Sequence, residues 1–253
     1  MTIRDELAHS KGGVVGLMLS EVRNPNVVSL FASVALDFFI VDMEHGAYDW
    51  ETMGGLIAVG RAVGIDPVVR IPEIRREAVL KPLEAGASTL VVPMVDFVAQ
   101  AEEVVRYGKY APEGERGTAL RRAHSNYERV DPVAYMAQAN RHTTIAIQIE
   151  TQAALDNADA LAAVPGVDVL FVGPLDLSIS LGLPGQTWSD ELRVAYRRVS
   201  EAVRAHGKAA GIHVKEVEQA RALRDEGFRM LSVGSDIELL ADQAAANVEA
   251  LRT

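Results

Sequence analysis

Eight short runs of apolar, largely β-branched residues recur along the chain, and they constrain its fold more than any other feature. They read VVGLMLS (14–20), FFIVDME (38–44), DPVVRIP (66–72), TLVVPMV (89–95), TIAIQIE (144–150), VLFVGP (169–174), KAAGIHV (208–214) and RMLSVGS (229–235). Each has strand length. Their apolarity is continuous rather than alternating, which suits parallel strands covered on both faces. The stretches 50–64, 97–108, 192–207 and 216–227 carry apolar residues at three-to-four spacing, and several end in Gly, a natural helix stop. Residues 236–253 read as a last helix. Alternating strands and helices imply a parallel sheet, and eight units close it into a (β/α)8 TIM barrel, a single α/β domain over residues 1–253. An open doubly wound sheet is the alternative. It usually shows a Gly-rich turn after its first strand, where this chain has EVRNPN. The interval 109–143 is longer than one crossover needs, and long loops in compact domains are usually functional.

Composition narrows the function. The net charge of −10 argues against a nucleic-acid partner, which would call for a basic stripe. The chain has no cysteine, so disulfides, thiolate metal sites and thiol nucleophiles are all excluded. No apolar run reaches membrane-spanning length, and MTIRDELAHSKGG has no apolar signal-peptide region. The expectation is a soluble cytoplasmic protein with no membrane partner. The five lysines are Lys11, Lys81, Lys109, Lys208 and Lys215, and none lies in the C-terminal half of a strand. Schiff-base chemistry, which needs a lysine held within the barrel, is therefore disfavoured.

Reactive residues of such barrels sit at the C-terminal ends of the strands. Taken in order, those ends supply Asp42, Glu44 and His45, then Arg70, then Gln148 and Glu150, then Asp176 of GPLD, then His213, and last Ser235 and Asp236 of GSD. Period-two alternation puts Gln148 and Glu150 on one face of the fifth strand, pointing into the barrel. Glu150 and Asp176 lie on neighbouring strand ends, and adjacent carboxylates repel unless they share a proton or a cation. Oxygen-only ligands suit Mg²⁺ or Mn²⁺ better than zinc. The plainer alternative is that both acids cap loops and form salt bridges. Arg70 interrupts an apolar strand. It suits a bidentate grip on a substrate carboxylate, or else an internal ion pair with a barrel acid. His45 has the right reference pKa for a general base, with Asp42 to orient it. The GSD end suggests a phosphate site, though without a companion Gly-rich loop.

Taken together, FIVDMEHG, VVRIP, LEAGASTLVVPMV, YAPEGERG, IQIET and LFVGPLDLS resemble the HpcH/HpaI aldolases, metal-dependent class II pyruvate aldolases. The match runs in order from about residue 14 to the last helix. The resemblance implies that Glu150 and Asp176 ligate a divalent metal (Mg²⁺ or Mn²⁺, or Co²⁺), that Arg70 contacts pyruvate and that His45, supported by Asp42, transfers protons. It further implies that Gln148 and Glu44 stand near the metal, that Glu84 lies near a subunit boundary, and that backbone N–H groups around Gly173, Pro174 and Leu175 hold the pyruvate carboxylate. Relatives form homo-hexamers, trimers of dimers, that exchange their last helices. The chain departs from the pattern at Met43, at His213, where relatives carry an apolar residue, and in RRAHSNY. These changes bear on the aldehyde half of the site.

The expected chemistry is addition of a pyruvate enolate to an aldehyde, giving a 4-hydroxy-2-oxoacid, and its reversal. A carbon–carbon lyase acting on acyl-CoA thioesters is the alternative within the same superfamily, but no basic patch for CoA phosphates is evident. A glycosidase using two carboxylates would want aromatic platforms, and the chain is only 6% aromatic. A barrel that binds small molecules without chemistry is the remaining alternative.

Overall fold

The computed structural model describes residues 3–9 and 12–252, so the expectation for Lys11 falls outside it. In chain order the elements are α1 (Ile3–His9), β1 (Val14–Leu19), α2 (Asn26–Ala32), β2 (Phe38–Asp42), α3 (Trp50–Val63), β3 (Asp66–Arg70), α4 (Arg76–Ala85), β4 (Thr89–Val92), α5 (Val98–Gly108) and α6 (Pro132–His142). They continue with β5 (Thr144–Ile149), α7 (Gln152–Asp156), α8 (Ala158–Ala163), β6 (Val169–Val172), α9 (Pro174–Ser180), α10 (Asp190–Ala205), β7 (Ala209–Val214), α11 (Val217–Asp225), β8 (Phe228–Ser235) and α12 (Asp236–Arg252). The strands close into a barrel in sequence order, and every neighbouring pair is parallel. The eight strand expectations hold; the first six stop one to three residues earlier, the seventh starts one residue later, and the eighth starts one residue earlier, at Phe228.

Strand alternation splits the apolar residues into two cores. Phe39, Val41, Val69, Leu90, Ile145, Ile147, Leu170 and Ile212 face outward and pack with the helices. Val14, Met18, Phe38, Ile40, Val68, Val91, Ala146, Val169, Phe171 and Met230 fill the interior, with Ile3 of α1 packed among them. The inward positions change character along each strand. Phe38 and Ile40 lead to Asp42, Val68 leads to Arg70, and Ala146 leads to Gln148. The barrel is thus a dry plug below and a polar cup at its C-terminal mouth.

The seam between β8 and β1 is tied by a side chain. Asp236, 3% exposed, accepts the backbone N–H groups of Ser20, Glu21 and Val22 at 3.0, 3.0 and 2.8 Å. Its carboxylate is spent on the chain end of β1, which removes it from the reactive mouth and argues against the phosphate site expected at GSD. The irregular interval after α5 also differs from expectation. Both of its ends, Gly108 and Thr144, lie at the N-terminal face of the barrel, so the excursion covers the face opposite the mouth.

α12 is the least covered element. Ile237, Leu239, Leu240, Val248 and Leu251 are all exposed along it. Among the described residues, no helix is long and apolar enough to cross a membrane.

Replacing Asp236 by Ala should leave three part-buried backbone donors without their acceptor and cost about 2–4 kcal/mol, charge-assisted bonds being worth more than neutral ones. A shift of the urea unfolding midpoint checks this, and Asp236→Asn, which keeps an acceptor, should lose less.

Candidate active site

The polar cup opens into a cavity of about 710 Å³. Its floor is Met18, Ile40, Val91 and Phe171, and its walls include Asp42, His45, Arg70, Gln148, Gly173, Asp176, His213 and Glu238. Most of the strand-end residues named from sequence line it, while Glu44 and Glu150 stand behind lining residues, beside Arg70 and Gln148. Asp236 is tied into the seam. Glu84 stands near the end of α4, at the N-terminal end of the barrel, where Arg116, Tyr110 and His124 feel its charge. Glu84 is thus no supporting residue of its own chain's mouth.

Asp42 and Arg70 lie opposite one another in the β2–β3 register. Arg70 donates through Nε to Asp42 Oδ1 at 2.8 Å and through Nη2 to Asp42 Oδ2 at 2.7 Å. The same Oδ1 accepts the backbone N–H groups of Glu44 and His45 at 3.1 and 3.2 Å. Burial works against the Asp42 charge, but the guanidinium and the two N–H groups outweigh it and hold the carboxyl below its usual range. Of the two sequence alternatives for Arg70, the internal ion pair is the one formed. Its bidentate fork is occupied, and its remaining amino group points to Glu44 at 3.3 Å. Asp42 does not touch the imidazole of His45. It fixes the turn that carries His45, which is a different kind of support from the one expected. Gly46 is required in that turn, because a Cβ there would lie 2.2 Å from the Asp42 carbonyl oxygen. The His45 ring stands exposed at the mouth, with Nε2 3.9 Å from Glu44 Oε2.

Across the cup, Gln148 and Glu150 share the inner face of β5 as the alternation predicted. Gln148 Nε2 donates to Glu150 Oε2 in a short contact, and the Met94 backbone N–H donates to Glu150 Oε1 at 2.6 Å. Met94 adopts φ 55°, a left-handed conformation unusual for its residue type. Gly173 packs directly on this couplet; a Cβ would meet Gln148 Nε2 at 2.8 Å and Glu150 Oε2 at 2.9 Å. Burial raises the Glu150 carboxyl to about 7; the Met94 N–H opposes this, while Glu44 and Asp176 add like charge. Burial also raises Glu44, with Arg70 as a partial offset. Asp176 projects from the first turn of α9.

The donor set fits a hard divalent cation. It combines a buried carboxylate without an ion pair among the described residues, an adjacent acid and a buried Gln148 Oε1 that has no hydrogen-bond partner. No cluster of three or more His, Cys, Asp or Glu forms among the described residues. Two carboxylates with waters or substrate oxygens is a frequent arrangement for Mg²⁺.

One expectation about backbone donors needs correction. The Gly173 N–H is already given to the Ile149 carbonyl at 3.1 Å, and Pro174 has no N–H. Of the three, only Leu175 has an N–H in the open first turn of α9, and Gly173 matters for close approach instead. Sequence reasoning also missed three features. The Met94 N–H carries no side-chain signal. Lys215, one residue past β7, pairs with Glu238 at 2.6 Å on the rim, a pairing across distant segments. His213 donates to or accepts from Ser232 Oγ at 2.9 Å through Nδ1, and burial lowers its pKa to about 4, so it is neutral.

The HpcH/HpaI aldolase/citrate lyase family model matches residues 16–243. The chain belongs to this family. It is 33% identical over 230 residues to a hydroxypyruvate/pyruvate aldolase of Roseovarius nubinhibens, covering 91% of this chain and 89% of that one. It is 32% identical over 218 residues to a 5-keto-4-deoxy-D-glucarate aldolase of Shigella boydii, covering 86% and 84%. The crystal structure of an HpcH/HpaI aldolase from Desulfitobacterium hafniense superposes with a TM-score of 0.95 at 32% identity, covering 100% of this chain and 97% of that one. The protein is an aldolase, a carbon–carbon lyase built on a TIM barrel.

The Glu150 geometry predicts a pH dependence. Folding raises this carboxyl from the ordinary 4.5 to about 7, so the native state holds its proton more tightly than the unfolded chain. Metal-stripped protein should therefore lose on the order of 3 kcal/mol between pH 4.5 and pH 7, as the unfolded chain ionises while the buried group keeps its proton. Denaturant titrations in EDTA should show the decline, Glu150→Gln should flatten it, and Mg²⁺ or Mn²⁺ should reverse it only in the parent.

Proposed function

We propose that this aldolase joins pyruvate, through its enolate, to an aldehyde, and cleaves the resulting 4-hydroxy-2-oxoacid in the reverse direction. The observation that carries the reading is the buried Glu150 carboxylate, bonded to Gln148 and repelled by Asp176, two residues that line a cavity also walled by Arg70, His45 and His213. The relatives named hydroxypyruvate/pyruvate aldolase support pyruvate as the donor.

Glu150 and Asp176 would hold the divalent ion, with Gln148 beside them. The ion supplies Lewis acidity that stabilises negative charge on the enolate oxygen. Arg70, clamped by Asp42, keeps a fixed positive charge on the cavity wall where the donor's carboxylate sits, and no reorganisation is needed when charge develops. The Leu175 N–H at the start of α9 adds a neutral donor. His45, held by its backbone but with its ring free at the mouth, moves the methyl proton and returns one to the aldehyde oxygen. The apolar floor keeps water from the carbon that becomes nucleophilic. The aldehyde enters against the polar rim formed by His213, Ser235, and the Lys215–Glu238 pair.

The exposed apolar residues of α12 support exchange of this helix between copies in a homo-oligomer, a hexamer in the family pattern.

Exchange of the pyruvate methyl protons in D₂O, followed by NMR, tests the donor half without knowledge of the aldehyde. Exchange should require Mg²⁺ or Mn²⁺ and stop in EDTA. Loss of metal dependence, or no exchange with any divalent ion, would overturn the reading. Glu150→Gln should abolish exchange, and His45→Asn should slow turnover about 10²–10⁴-fold, the usual worth of a positioned proton carrier, while leaving metal-induced stabilisation intact.

A further inference from the structure

The face opposite the mouth holds a second polar cavity, of about 480 Å³, which the aldolase chemistry does not use. It sits at the N-terminal ends of β3, β4 and β5, against Asp66, Pro67, Ser88 and Thr143. The excursion 109–131 roofs it with Arg116, His124, Ser125 and Asn126. The excursion is part of the long interval 109–143 that the sequence singled out.

Arg116 is the unexplained group. It is only 6% exposed, yet its Nε has no hydrogen-bond partner, and no carboxylate pairs with it among the described residues. Its backbone is anchored, the N–H donating to the Lys109 carbonyl at 2.8 Å. Its guanidinium lies over the Tyr110 ring, 4.6 Å from Cζ to the ring centroid. The Tyr110 hydroxyl beside it is also buried without a partner. A buried charge is ordinarily paired, because the loss of hydration is costly. The neighbouring groups do not pair with it. Arg61 spends its amino groups on the Ala123 carbonyl at 2.5 Å and Asn126 Oδ1 at 2.7 Å. His124 bonds to the Tyr135 hydroxyl and, at 3.2 Å, to the Ala119 carbonyl. Glu84 acts on Arg116 only through space.

We propose that this cavity is a binding site for a small monocarboxylate, held by the planar fork of Arg116 at the opposite end of the barrel from the mouth. A guanidinium fork matches a carboxylate geometrically. A monoanion fits better than a phosphate dianion, because Asp66 and Glu128 also line the cavity and offset the charges of Arg61 and Arg116, and Arg116 alone has its fork free of partners among the described residues. The cavity is roomy enough for a small organic acid and too small for a macromolecule.

Saturation-transfer NMR and titration calorimetry with acetate, on Mg²⁺-loaded protein at constant ionic strength, test the site. Binding in the millimolar range is expected, since so few atoms give no more. Arg116→Gln should weaken it at least about tenfold, one charge-assisted fork being worth that much, while pyruvate methyl exchange persists. Glu150→Gln, which alters the mouth, should leave this acetate site unchanged, as should EDTA. If Arg116→Gln fails to fold, Arg116→Lys keeps the charge without the fork and should weaken acetate severalfold. Acetate binding that is lost in Glu150→Gln but kept in Arg116→Gln would overturn the proposal. So would tighter binding of inorganic phosphate than of acetate through Arg116. Absence of acetate binding to the parent protein would also overturn it, and would leave the guanidinium to a carboxylate from a second copy of the chain.

Discussion

A closed parallel barrel offers its inward side chains no solvent except at the two ends, and this constraint organises everything else in the molecule. Strand alternation sends every second residue inside whether or not it is apolar. Phe38, Ile40, Val68, Ala146 and Phe171 can be packed dry. Asp42, Arg70, Gln148 and Glu150 continue the same inward rows and can survive only where partners or solvent are available. They reach that place at the C-terminal mouth. The Asp42–Arg70 fork is the first response to the constraint. Buried ion pairs seldom add net stability, and this one does something else. It fixes the turn that carries His45 and keeps a guanidinium immobile on the cavity wall.

Charge does not balance in the cup, and the imbalance has a chemical meaning. Arg70 is matched by Asp42, which leaves Glu44, Glu150 and Asp176 with little compensation beyond Arg70's outer amino group and the exposed His45 ring. Burial and mutual repulsion push Glu150 toward the protonated form. A divalent cation held by Glu150 and Asp176, as proposed, would relieve both penalties. In the proposed function, groups that are individually uncomfortable would become ligands. The left-handed Met94 contributes by aiming its N–H at Glu150, and Gly173 contributes by lacking a side chain.

The two ends of the barrel treat their polar groups differently. At the mouth, charges are offered to a cavity. At the opposite face, the excursion after α5 buries Lys109 against the Asn140 and Thr143 carbonyls and lays Arg116 on Tyr110. Lys109 finds acceptors there and Arg116 does not. The Asp236 clamp on residues 20–22 shows a third solution, in which a carboxylate is consumed entirely by backbone donors to close the seam.

The sequence by itself determined the barrel, because eight apolar runs separated by helical stretches leave few other ways to bury so much β-forming surface. It also determined which strand ends carry acids, an arginine and histidines. Alternation alone put Gln148 and Glu150 on one inner face, since a period of two is local. The tertiary structure decided the pairings across strands. Whether Arg70 gripped a substrate or Asp42 depended on the β2–β3 register. Whether Asp236 lined a site or closed the seam depended on where the end of β1 arrives, and whether the Gly173 N–H was free depended on the Ile149 carbonyl. The same holds for the placement of Glu84 and of the long excursion at the far face, and for the solitude of Arg116. Such contacts join residues far apart in the chain, and their partners are set by barrel closure, a property that no local pattern carries.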